Sequence, residues 1–205
     1  MSDPVLFFHQ AYCYLSKHGY AEEIQWAENL PILEHQTPDA FVSEYVWTVL
    51  NAGMKEQVAR RIYERFMVAR DPGVIGHPGK RAAVEQAMKH GAEWFASLLT
   101  ARDKLAYLET LPWIGPITKY HLARNIGIDC VKPDRHLVRL AEQFGYISPD
   151  AMCRAIQPET GIPGLELRLG TIDIVLWRYC NLVGQSIYQS SPEKQEGGMK
   201  EWSFR

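Results

Sequence analysis

The chain has 205 residues, a formal net charge of −2 and 46% hydrophobic residues, including six Trp and ten Tyr. That is enough for one domain or two small lobes sharing a core, and near-neutrality argues against a protein that coats DNA through bulk positive charge. No run of ~20 apolar residues could span a membrane, and MSDPVLFFHQ has no basic stretch ahead of an apolar one, so a signal peptide is not expected. A cytosolic monomer is the default expectation.

Apolar residues recur at helical spacing through most of the chain. Phe8, Tyr12 and Leu15 share one face; Phe41, Tyr45, Val49 and Ala52 share a second. Val58, Ile62 and Phe66 continue the pattern, followed by Trp94, Phe95, Leu98 and Leu99. Late in the chain, Leu165, Leu169, Ile172, Leu176, Tyr179 and Val183 form a stripe with spacings of three and four. No alternating run is long enough for a strand. The chain is predicted to be all-α. Breaks are expected at 29–38, 71–80 and 148–163, the second too rich in Gly and Pro for a helix and read as a connector. One helical domain is expected over 1–188. The polar stretch 189–205, with Gly197 and Gly198, is expected to be a mobile tail.

Residues 108–140 are the most informative stretch. In 111–116, Leu-Pro-Trp-Ile-Gly-Pro, Pro112 and Pro116 lack an N–H and Gly115 is permissive, so a helix must stop there in a tight hairpin. The apolar pattern restarts at Ile117, which places free amides at a helix N-terminus, where phosphate oxygens bind readily. Asp134 precedes Leu137, Leu140, Ala141 and Phe144, which repeat at helical spacing, so it reads as an N-cap. A cap also fixes a carboxylate in place, which is compatible with a chemical role. Lys119, Arg124, Lys132, Arg135 and Arg139 face only Asp129 and Asp134 over 117–140, a local basic patch able to supply phosphate contacts.

Leu111, Pro112, Ile114, Gly115 and Thr118, followed by Asp134, His136, Val138 and Arg139, resemble the helix-hairpin-helix DNA glycosylase superfamily. The Lys-Pro-Asp-Arg-His-Leu wording at 132–137 is closest to its alpha-glutamyl/putrescinyl-thymine pyrophosphorylase-like branch. The likeness spans roughly residues 41–185. It implies the helix-hairpin-helix glycosylase fold, helical bundle lobes around a base pocket. Within that fold it implies a hairpin that grips a phosphodiester, with Trp113, Gly115, Ile117 and Thr118 as its contacts. Lys119, Arg135 and Arg139 would lie on backbone phosphates. It also implies an essential aspartate, here Asp134, beside C1′ of an everted nucleotide. There it would stabilise an oxocarbenium-like centre and orient or deprotonate water. The turn at 49–54 matches the family's duplex-probing turn and offers Asn51 and Met54 as wedges. The late helix offers Asp173, as a carboxylate reading base donors, and Trp177, as a stacking face, with Trp47 as a further suspect. Lys132, two residues before Asp134, has two candidate roles, a sugar-phosphate contact or an amine nucleophile.

Two positions depart from the family. Trp113 stands where the hairpin usually has its first glycine, and Ile117 stands where glycosylase/lyases carry the Schiff-base lysine. Lys119 is about 200° around the helix from Ile117 and is a poor substitute. Cys13, Cys130, Cys153 and Cys180 contain no C-x-x-C unit, and the seven histidines lack ligand spacing. Buried free thiols are expected, with no metal and no cofactor. Three functions follow. The leading one is a monofunctional glycosylase that excises a modified base, including a hypermodified 5-substituted pyrimidine of phage type, from double-stranded DNA. The second is a transferase that attaches an amino acid or polyamine to an activated 5-hydroxymethylpyrimidine. The third is a non-enzymatic DNA-binding module.

Overall fold

The computed structural model describes residues 3–161 and 167–187, and among them no strand forms. The chain begins in one lobe with α1 (Pro4–Lys17) and α2 (Ala21–Glu28). It crosses to a second lobe for α3 (Pro38–Asn51), α4 (Glu56–Ala69), α5 (Pro78–Thr100), α6 (Lys104–Glu109) and α7 (Thr118–Asn125). It then returns for α8 (Arg135–Gln143), α9 (Pro149–Ile156) and α10 (Leu169–Ile187).

Local chemistry sets most helix starts. Asp3, Thr37, Asp103 and Ser148 each accept a backbone N–H just inside the helix that follows. Proline opens α1, α3, α5 and α9, where its missing N–H would have had no partner anyway. Each lobe then buries its own apolar set. Phe41, Tyr45, Val49, Phe66, Leu98 and Leu122 fill the second lobe. Phe8, Leu15, Leu137, Leu140, Ile172 and Leu176 fill the first, where α1 and α2 pack on α10. Fully burying side chains of this size stabilises by roughly 1.5–3 kcal/mol each.

Several sequence expectations need correction. The break at 71–80 ends early, because α5 already starts at Pro78 behind His77, whose ring accepts the Lys80 amide. Lys80 is only 4% exposed and donates its ammonium to the carbonyls of Leu50 and Ala52, closing the C-terminus of α3. Burial lowers its pKa. The break at 148–163 is mostly helix, since Ser148 caps α9. On α4 the inward face runs through Ala59, and Val58 is 45% exposed. Cys130, Cys153 and Cys180 are buried thiols, whereas Cys13 is exposed. Leu165 and the stretch 189–205 lie outside the described residues. No helix among the described residues is long and apolar enough to cross a membrane.

Candidate functional site

The 111–116 hairpin joins α6 to α7. The Ile114 amide donates to Leu111 O at 3.1 Å, and the Gly115 amide donates to Thr118 Oγ1 at 2.7 Å. Both are therefore satisfied internally. The amides of Trp113, Ile117 and Thr118 have no acceptor among the described residues, so a phosphate contact would fall to them and not to Gly115. The left-handed backbone of the turn sits at Trp113, with φ +64°, the conformation glycine adopts most cheaply. Gly115 is not in that region, and a Cβ there would meet nothing closer than Thr118 Oγ1 at 3.9 Å. Trp113 is held by packing: its ring covers Gly79, where a Cβ would come within 2.4 Å of it, and lies edge-on to His77. The Tyr45 hydroxyl donates to Pro112 O and ties the turn to α3.

The following loop carries the carboxylate. Val131 is buried, Pro133 disfavours helix, and Asp134 is extended (φ −84°, ψ 171°), so its side chain folds over the start of α8. Its Oδ1 accepts from the amides of His136 (2.9 Å) and Leu137 (3.1 Å). Asp173 holds the loop from beneath: Oδ2 accepts the Lys132 amide and Oδ1 accepts Arg124 Nη1 at 2.8 Å. Asp173 is 1% exposed, and burial raises its carboxyl against the opposing pull of Arg124. The expectation that Asp173 reads a base is corrected, because both its oxygens are occupied and it lies under the floor of the site.

Above that floor, between the lobes, is a cavity of about 560 Å³ that Lys132 and Asp134 line. Trp26, Trp47, Tyr63 and Trp177 form apolar walls, and Asn51 lies at the end of α3. Trp47 meets Tyr63 edge-on at 5.5 Å. The guanidiniums lining the cavity are all paired. Arg178 grips Glu23 at 2.7 and 2.9 Å while lying over the Trp177 ring, Arg60 pairs with Glu56 at 3.0 Å, and Arg124 pairs with Asp173. Glu44 accepts Asn125 Nδ2 at 2.9 Å; burial raises its carboxyl, and that hydrogen bond opposes the shift. The Lys132 ammonium is pushed below its usual value by burial and then by Arg124, with Asp134 and Asp173 pulling the other way. His121 is held well below its ordinary value by burial, then by the charges of Arg124 and Lys132, so its ring is neutral.

A shallower groove of about 370 Å³ runs outside the cavity and is lined by Ile117, Pro133, Arg135, His136 and Asn181. Lys132, Asp134 and Trp177 line both depressions. Other sequence candidates lie elsewhere. Met54 is partly buried against the core of the second lobe and does not line the cavity. Lys119 is engaged by Glu109 at 2.5 Å, which opposes a phosphate role. Arg139 is exposed on α8 and lines neither depression.

The sequence reading missed Glu44, His121 and Asn125. A signal was present: Glu44, Trp47 and Asn51 repeat at spacings of three and four on α3, and His121 and Asn125 are one turn apart on α7. Each set places polar side chains at one-turn spacing on a helix that also contributes to the core of the second lobe. Compared with family models, curated proteins and solved structures, the chain matches none.

Proposed function

We propose that this protein is a monofunctional DNA glycosylase that everts a modified nucleotide from duplex DNA and hydrolyses its N-glycosidic bond. One observation carries the reading: the capping carboxylate Asp134 stands at the junction of an outer groove and an aromatic-walled cavity, with Lys132 and Trp177 shared between them. A strand lying in the groove would pass from the start of α7 to Arg135, its phosphates meeting open amides and a guanidinium. The flipped base would enter the cavity and stack on aromatic faces, leaving C1′ at the junction.

The chemistry follows from how Asp134 is held. Oδ1 is committed to two amides, so Oδ2 is the oxygen presented to substrate. The N-terminus of α8 favours its ionised form. As the C1′–N bond breaks, the electron pair leaves with the base nitrogen and positive charge grows on the sugar, where the carboxylate offsets it. Water adds its oxygen to C1′ and gives its proton to Asp134. Ile117 cannot form an imine, so the product is an intact abasic site. Each guanidinium lining the cavity is already ion-paired with a carboxylate, so in the alternative amino-acid transferase the incoming carboxylate would fall to the Lys132 ammonium.

The test is to incubate the protein with unmodified and phage-modified duplexes and to assay alkali-labile sites and base masses together. Free base plus an alkali-labile, uncleaved strand is expected, with no adduct trapped by borohydride. A base that gains mass without an abasic site would establish transfer. An adduct lost in Lys132→Ala would establish a lyase.

A further inference from the structure

His121 is a cavity residue that the mechanism above does not use. It lies on the second turn of α7, and neither ring nitrogen makes a hydrogen bond to the protein among the described residues. An imidazole in a partly apolar cavity has one donor and one acceptor to satisfy, and no protein group among the described residues takes up either here. Its place along the cavity is defined. His121 lies one turn before Arg124 on α7, Arg124 is bonded to the Asp173 that holds the Lys132 amide, and His121, Lys132 and Asp134 line the same cavity, so His121 is near the loop that carries Asp134.

We infer that His121 is a second catalytic residue, a hydrogen-bond donor to the departing base. The inference rests on the glycosylase reading above. When the C1′–N bond breaks, the pair it leaves behind spreads from the ring nitrogen onto the adjacent acceptor, O2 of a pyrimidine or N3 of a purine. An N–H aimed at that atom stabilises charge that exists only as the bond breaks, so it lowers the barrier without tightening ground-state binding. The imidazole keeps its proton; the only proton transferred is the one that water gives to Asp134. Burial first, then Arg124 and Lys132, disfavours imidazolium, and a neutral ring serves here as a neutral electrophile. The ligand class is therefore a base with an acceptor next to its glycosidic nitrogen.

Two measurements separate this role from the reading on which it depends. In the first, histidine ring ¹⁵N spectra are recorded for wild type and His121→Gln, alone and with a duplex containing one 2′-fluoro-2′-deoxyuridine, which resists hydrolysis. The resonance missing in His121→Gln should shift on adding DNA and keep the pattern of a neutral ring. An unchanged or imidazolium pattern would overturn the role, whatever the enzyme excises. In the second, single-turnover excision is compared on duplexes carrying uracil or the better leaving group 5-fluorouracil. His121→Ala should slow uracil release on the order of 10²-fold, slow 5-fluorouracil release several-fold less, and recover partly in His121→Gln, which restores an N–H. Equal losses for the two bases would overturn the role and leave the hydrolase intact. A ring that shifts in a protein that excises neither base would overturn the catalytic role and leave only a base contact, whereas the glycosylase reading falls only if the phage-modified duplexes yield no abasic site either.

Discussion

The starts of α7 and α8 have opposite chemistry. At α7 no side chain caps the helix: Ile117 occupies the cap, Thr118 turns back to Gly115, and the first amides stay open. At α8 the Asp134 carboxylate takes two amides itself. The same helix-terminus physics thus has two outcomes. An open terminus offers donors and partial positive charge to an external anion, whereas a capped one holds an internal anion at a defined point. Ile117 and Asp134 line the same groove, so under the proposed function the open terminus would grip phosphate and the capped one would hold the reacting carboxylate.

Substitutions at each element test that division. The largest effect is expected from Asp134→Asn, which preserves the cap because Asn caps as well as Asp. Turnover should fall between about 10²- and 10⁴-fold, while duplex affinity changes by less than about tenfold, or 1.4 kcal/mol. Asp134→Ala should in addition lose about 1 kcal/mol of stability in urea titrations. Full turnover in Asp134→Asn would make the carboxylate a cap alone. Next comes the support beneath it. Asp173→Ala strands Arg124 and the Lys132 amide in the interior, and loss of one partner from a buried pair costs about 3–5 kcal/mol. Denaturant midpoints should show that loss, and a stable variant with altered base preference would return Asp173 to the reader role.

At the open terminus, Ile117→Glu places a negative charge on a side chain 44% exposed beside the free amides. Affinity should drop roughly tenfold for every duplex sequence at low salt, and the deficit should shrink as salt rises. An unchanged affinity would remove this helix start from the DNA interface. The smallest effect concerns stability across pH. Glu44 has a carboxyl pKa raised by burial, so its favourable contribution is present below the unfolded glutamate pKa and is lost as pH rises through the folded value. Wild type therefore bears the cost of the buried charge at neutral pH. Glu44→Gln should raise stability by about 0.5–2 kcal/mol at pH 7.5, and the gain should fade as pH approaches 4. A gain independent of pH would mean that the charge is not its source.

Trp113 shows where a sequence argument about a turn stops. The pattern Leu-Pro-Trp-Ile-Gly-Pro shows that the helix must break, because two prolines remove donors and a glycine relaxes the backbone. It does not show that the left-handed residue is Trp113 and not Gly115. A Trp is held at positive φ because its ring packs over Gly79 and against His77, more than thirty residues earlier in the chain. The break assigned to 148–163 failed for a simpler reason. Pro149 follows a capping serine and opens a helix, because a proline in the first turn loses no hydrogen bond.

The sequence by itself determined the all-helical character of the described residues, the hairpin break and the capping of α8 by Asp134. Each rests on interactions within a few residues: apolar spacing, missing proline donors, and a carboxylate two and three positions before the amides it accepts. The tertiary structure decided which charges are free. Asp173 and Arg124 are 49 residues apart, Glu44 and Asn125 are 81 apart, and Arg178 and Glu23 are 155 apart. The Asp173–Arg124 pair joins the two lobes as they close on one another, the other two pairs join helices within a single lobe, and no local pattern encodes either kind. The closure turned Asp173 from a presumed reader of bases into the support for the loop that carries Asp134. It also brought His121 and Glu44, which no motif had singled out, to the wall of the cavity.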